Sequence, residues 1–190
     1  MKSFFCLLIA GIFSIVCSGQ SKKSNSYTFH SINNITLLNG DNGTSAAIQT
    51  VNGFSRQKIF AGIGVGIDYY QYRSVPVFAD VRYEFGKKRN RFFLYADGGI
   101  NCSWVGNASN DWNWDTKRDF SNGLYTDKGG GLNAYFKNGN AFIVSLGYSH
   151  KAINETVLRD VWISGNRQET LTETNNYKFN RIVAKLGFRF

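Results

Sequence analysis

Proline and methionine occur once each in 190 residues, and acidic residues number only 13. Charged residues make up 18% of the chain, below the roughly 25% of an ordinary soluble domain, which argues against a helical bundle. After the first nineteen residues, no stretch approaches ~18 consecutive apolar residues, so no transmembrane helix is expected there. Cysteine is scarce as well. Cys6 and Cys17 fall in the N-terminal segment, which leaves Cys102. One thiol cannot build an internal disulfide framework, so packing or a membrane must hold the fold. On its alternating strand, Cys102 reads as a small apolar side chain rather than a nucleophile.

What the sequence has in quantity is aromatic residues (16%), 20 glycines, and 22 basic residues for a net charge of +9. Aromatic content this high excludes a disordered chain, and the length suits one domain. Lys2 precedes an apolar run of 13 residues, Phe4 to Val16, followed by small residues at Cys17, Ser18 and Gly19. That is the pattern of a secretory signal peptide, too short to span a bilayer. The expected organisation is therefore a signal peptide at 1–19, cleaved after Gly19 or Ser18, and one domain at 20–190. Cys17 also admits a lipoprotein reading, but Val16 stands where lipoprotein signals place a small residue.

The mature chain repeats with period two, the strand period. In Lys58 to Tyr70, Ile59, Ala61, Ile63, Val65, Ile67 and Tyr69 alternate with Phe60, Gly62, Gly64, Gly66, Asp68 and Tyr70. The glycines lie inside the strand and no helix follows, so a nucleotide loop is not indicated; they relieve crowding or let the sheet bend. Val75–Phe85, Phe92–Trp104, Phe142–Ser149 and Tyr177–Phe190 alternate in the same way. Tyr27–Leu38, Thr44–Gly53 and Leu124–Lys137 do so less cleanly, for eight strands in all. An asparagine-glycine step at 138–139 signals a hairpin turn.

An apolar face can point into a soluble barrel or out toward lipid. The opposite faces here mix Asp80, Arg82, Glu84, Asp97, Arg181, Lys185 and Arg189 with Gly, Ser, Asn, Phe and Tyr. That mixture makes a poor solvent face and a suitable narrow lumen. Several segments exceed the usual 5–6 residues and match the ~9–11 that a tilted membrane strand needs. Connections near 53–56, 86–90 and 137–140 are tight. At the other end, Asn39–Gly43 and Gln71–Pro76 are short, but long loops are expected at about 105–123 and 152–175. Long loops on one side and tight turns on the other is the outer-membrane arrangement.

The exported start, the eight alternating segments and the ending Ile182 to Phe190 together resemble the small eight-stranded outer-membrane barrels of Gram-negative bacteria. These are the OmpA/OmpX-like porin superfamily, with a style similar to the Bacteroidetes-type outer-membrane β-barrel proteins. The resemblance implies an all-β, eight-stranded antiparallel up-and-down transmembrane barrel in the outer membrane, with both termini periplasmic. It also implies that Leu186, Phe188 and Phe190 form the assembly signal read by the barrel-insertion machinery. The peptidoglycan-binding domain of full-length OmpA-type proteins has no counterpart, so no cell-wall tether is expected.

An eight-stranded barrel is just wide enough for side chains to fill, so the seven charged residues above are expected to form a paired lumen network. A gate for small ions is the functional alternative. Asp80 and Glu84 lie four apart on one strand face, roughly 13 Å at ~3.3 Å per residue, beyond the ~5–9.5 Å of a glycosidase pair. Ser149 and His150 are adjacent and so point to opposite faces. No zinc spacing occurs. The expectation is a non-enzymatic barrel without metal or cofactor, acting in envelope structure or surface interaction. Its partners would be outer-membrane lipid, the assembly machinery and an unidentified extracellular ligand or protein, but not nucleic acid. Trp112, Trp114, Phe120 and Trp162 in the long loops are the candidate contacts, as binding anchors or headgroup-belt anchors. The alternatives are a narrow small-solute or ion channel and a secreted lipocalin-like barrel holding an apolar ligand.

Overall fold

A computed structural model describes residues 27–86, 89–104, 116–163 and 167–190, with side chains described for all of these except 116, 160, 162–163 and 167–169. The expected signal peptide and its cleavage point lie outside these residues. The described chain is antiparallel β-structure throughout. Its elements are β1 (Thr28–Gly40), β2 (Gly43–Arg56), β3 (Ile59–Asp68), β4 (Ser74–Phe85), β5 (Asn90–Ser103), β6 (Thr116–Ser121), β7 (Gly123–Tyr135), β8 (Ala141–Ile163) and β9 (Arg167–Arg189). Each ring strand pairs with its chain neighbour, and β9 returns to β1 from Ile32 opposite Arg189 to Gly40 opposite Arg181. Eight strands thus close an up-and-down ring, which leaves the ring itself without a free edge.

The short β6 is not a ninth stave. Ser121 pairs with Asn154, and Tyr125 pairs with Lys151. Four residues on one side therefore span three on the other, the signature of a β-bulge. β6 and β7 follow one path along β8, broken at Asn122. Part of the expected loop at 105–123 is thus strand, from 116 to 121.

The second expected loop, 152–175, is corrected more fully. β8 and β9 pair in one unbroken register from Ala141 opposite Arg189 to Ile163 opposite Arg167. The cause is local: Lys151, Ile153, Glu155 and Val157 alternate with His150, Ala152, Asn154 and Thr156, and Thr170, Thr172 and Thr174 favour extended backbone. Twenty-three residues at ~3.3 Å each far exceed the ~9–11 needed to cross a bilayer, so the hairpin projects well past the ring.

The turn expected at 53–56 lies later, at Gln57 and Lys58, because β2 runs on to Arg56 with Ser55 opposite Phe60. Gln57 sits at φ 57°. The turn near 138–139 has Gly139 at φ 92°, a conformation that glycine adopts without steric cost.

The faces sort by parity. Ile63, Val81, Leu94 and Leu186 are 70%, 52%, 58% and 56% exposed, whereas Arg82 and Lys185 are 5% and 3% exposed. The outer belt continues through Ile35, Leu37, Ile48, Val65, Val77, Ile100, Leu124, Val144, Leu146 and Ile182. Tyr69, Trp104 and Tyr148 rim it at one end; Phe54, Tyr83, Phe85, Phe92 and Phe142 rim it at the other. Apolar outside, charged inside and aromatic at both rims is the polarity of a membrane-spanning barrel.

Candidate functional site

The inward side chains stack in layers along the barrel axis. At the end bearing the tight turns, Glu84 is the hub. It accepts from Arg189 Nη1, from Asn133 Nδ2 at 2.9 Å and from the Tyr135 hydroxyl at 2.8 Å, and Arg91 pairs with it at 3.5 Å. β4 supplies Glu84, β7 supplies Asn133 and Tyr135, and β9 supplies Arg189, so this cluster joins strands across the lumen.

The middle layer holds two ion-paired groups. Arg82 donates to both Asp80 oxygens through Nε and Nη2, the latter at 2.7 Å. Its guanidinium lies 5.5–5.9 Å from the ring centres of Phe60, Phe93 and Tyr95, which replaces lost hydration with aromatic faces. Lys185 Nζ lies 2.8 Å from Asp127 and 3.5 Å from Asp97. The Tyr95 hydroxyl donates to Asp127 at 2.9 Å, and Gln49 reaches the Tyr125 hydroxyl at 2.8 Å.

The third layer is built on Asp68. Arg181 Nη1 donates to it at 2.5 Å and Lys151 Nζ at 3.2 Å. Lys151 Nζ also donates to the carbonyls of Tyr70 and Tyr72 at 2.8 and 2.9 Å, and Arg181 Nη2 donates to Ser149 Oγ at 2.8 Å. Above this layer the filling turns aromatic: Tyr72 packs on Phe120 at 5.4 Å and on Tyr177 at 5.3 Å.

All seven charged residues singled out in the sequence are buried and point inward. They do not form one network but divide among the three layers. Sequence reasoning missed Asp68, Asp127 and Lys151, which are equally buried and complete the pairing. Within these layers, five buried carboxylates (Asp68, Asp80, Glu84, Asp97, Asp127) meet five buried bases (Arg82, Lys151, Arg181, Lys185, Arg189), so formal charges balance. Inward parity was the available signal: Asp68 shares a face with Phe60, and Lys151 with Ser149.

Aromatic rings fill the remaining space by lying on glycines. A Cβ on Gly64 would come within 2.4 Å of the Phe78 ring, and one on Gly147 within 2.2 Å of the Tyr95 hydroxyl. These inward glycines are the cradles that allow the central aromatic cluster.

Outside the lumen, Leu186 and Phe188 share the outward face of β9 and Phe190 follows directly after it, exposed on the same parity; the Phe188 ring stacks on Phe136 at 5.9 Å. The Phe120 ring is taken up by Tyr72 rather than presented outward. Trp162 pairs through its backbone with Gln168, and Trp112 and Trp114 lie outside the described residues. His150 points outward and bonds to Asn180 at 2.8 Å, while Ser149 points inward. Among the described residues, no cluster of three metal-ligating side chains occurs.

No protein-family model and no curated protein matches the chain. Solved structures do resemble it. They include the N-terminal β-barrel domain of Pseudomonas aeruginosa OprF, with TM-score 0.49 and 13% identity over 85% of this chain and 97% of that one. The outer membrane protein AlkL in lipid bilayers gives TM-score 0.49 and 10% identity over 92% and 94%. Neisserial surface protein A gives 0.48 and 9% over 90% and 98%.

Proposed function

We propose that this chain is an integral outer-membrane β-barrel protein with a side-chain-filled lumen and a structural or surface-interaction role, without enzymatic activity. One observation carries the reading: a continuous apolar belt faces outward around a ring whose ionic groups face inward. A soluble lipocalin-like barrel would need the reverse arrangement. The balanced ion pairs and stacked rings across the lumen support a plug rather than a channel. Residues 1–19 act as a cleaved export signal, and 20–190 form the barrel domain. The tight-turn end faces the periplasm, and the β8–β9 hairpin with β6 rises on the extracellular side as the interaction surface. Leu186, Phe188 and Phe190 are read by the assembly machinery before the ring closes.

The test has three readouts. The protein should fractionate with outer membranes, and the purified chain should migrate faster on gels unheated than boiled. In a Cys102→Ser background, Asn176→Cys should react with a membrane-impermeant maleimide on intact cells while Gln57→Cys should not. Planar bilayers should show no conductance for the wild type. A soluble periplasmic product would refute the membrane reading, and steady conductance altered by Arg82→Gln would replace the plug with a channel.

A further inference from the structure

We propose that a groove on the outer wall at the tight-turn end holds one anionic phospholipid of the adjacent leaflet, with the lipid phosphate on Arg56 and an acyl chain along Ala61. The inference rests on the membrane reading above and names the lipid class that the reading leaves open. The groove has a volume of about 400 Å³ and is lined by Tyr27, Phe54, Arg56, Gln57, Ile59 and Ala61. Clefts of about 300–1,000 Å³ are the usual size for small-molecule ligands.

Outward positions build it. Phe54 and Arg56 share the outward face of β2 with Ile48, and Ile59 and Ala61 share that of β3 with Ile63. Register sets Arg56 opposite Ile59 and Phe54 opposite Ala61, with Ala61 in turn opposite Val81 on β4. A single methyl thus lies between a phenyl ring and an isopropyl group, which leaves a slot in the wall. Ile63 follows Ala61 on the same face, so the slot opens onto the belt that faces hydrocarbon. The other end of the slot is cationic. Arg56 Nη1 donates to the Tyr27 hydroxyl at 3.3 Å, and its guanidinium lies 5.3 Å from the centre of that ring. These contacts hold the fork at the aromatic rim, the level of lipid headgroups. The exposed guanidinium has further N–H groups for phosphate oxygens.

Charge selects an anionic lipid over a zwitterionic one. Glu84, the acidic side chain of this end, points inward to Arg189 and Arg91. On the outside, Arg56, Lys58, Arg89 and Lys137 are exposed, and the one carboxylate among the described residues there is the Phe190 terminus. That terminus does not line the groove. It ends beside Ser31, whose partner Asn52 is four residues from Arg56, roughly 13 Å at ~3.3 Å per residue. The exposed acids Asp41, Asp119 and Glu173 lie at the other end of the molecule. A zwitterionic headgroup would bring its own ammonium to this excess of cations, whereas a headgroup of net negative charge is drawn to it.

The experiment uses the full barrel, purified in detergent and shown by heat modifiability to be folded. Native mass spectrometry in equimolar phosphatidylglycerol and phosphatidylcholine should show one phosphatidylglycerol retained at least fivefold over phosphatidylcholine. Arg56→Gln should bring the two lipids to within twofold of each other. Ala61→Phe, which fills the slot, should cut phosphatidylglycerol retention at least fivefold. Arg73→Gln, which removes a cation held by Tyr69 and Trp104 at the opposite rim, should change neither. Equal retention of the two lipids by the wild type, wild-type retention in either groove variant, or a loss in Arg73→Gln as large as in Arg56→Gln overturns the site. So does displacement by glycerophosphoglycerol at the same concentration, which would make the ligand a soluble anion. Each of these results leaves the membrane reading standing; a protein soluble without detergent would remove that reading instead.

Discussion

Within the β8–β9 hairpin, one backbone runs through two chemistries. Up to Tyr148 opposite Ile182, the outward side chains are Phe142, Val144, Leu146 and Tyr148 on β8, with Leu186 and Ile182 on β9. From His150 opposite Asn180 onward they are His150, Ala152, Asn154 and Thr156, with Asn180, Lys178 and Asn176. The register does not shift across this point. The ladder of backbone hydrogen bonds satisfies itself and is indifferent to its surroundings. Only the outward parity records where hydrocarbon ends. The inward parity changes as well, from ion pairs around Lys185 and Arg181 to packed rings around Tyr72 and Tyr177.

The largest effect should come from removing an inward charge below that boundary. Lys185 holds Asp127 and Asp97 together, so Lys185→Leu leaves two buried carboxylates facing each other. We expect a loss of about 3–5 kcal/mol in equilibrium unfolding from lipid vesicles. Above the boundary, Tyr177→Phe removes a 2.8 Å hydrogen bond to Glu155 and should cost roughly 1 kcal/mol. Equal costs at the two positions would mean that the lumen is as wet as the projection.

Next comes the outward belt. Ile63 lies mid-strand on the lipid side, and Ile63→Arg should cost about 2–4 kcal/mol in the same assay. A smaller penalty is expected from Gly64→Ala, its inward neighbour. The new methyl would meet the Phe78 ring at 2.4 Å and force that ring off Tyr125, at about 1–3 kcal/mol. The opposite ranking, with Gly64→Ala worse than Ile63→Arg, would mean that packing rather than lipid sets the strand's tolerance.

Much of this was legible from parity alone. The eight ring strands, their outward belt and the burial of Asp80, Arg82 and Lys185 follow from counting alternate residues. The three-layer division was not legible, because partners such as Lys185 and Asp127 sit on strands whose register no single sequence reveals. The projecting strands were misread for a different reason. Past Tyr148 the outward positions become polar, and a sheet that is wet on one face loses the contrast between parities that marks a strand. Inward Ile153 and Val157 keep the alternation, but only as two apolar residues among threonines and asparagines. The bulge at Asn122 is invisible for the same reason, since it falls where that contrast has gone.

The smallest effect discriminates most finely. Asn176 is outward and exposed on β9, paired with Asn154, six residues before Ile182. Asn176→Arg places on this face the same charge that Ile63→Arg places on the belt. Water surrounds it here, so the cost should fall within about 0.5 kcal/mol of zero, as for an ordinary surface substitution. Running the series Ile182→Arg, Asn180→Arg and Asn176→Arg in vesicles would place the boundary among these outward positions. The penalty should drop between 182 and 180. A penalty that stays high to 176 would put the hydrocarbon edge farther out and make the projecting sheet part of the membrane wall.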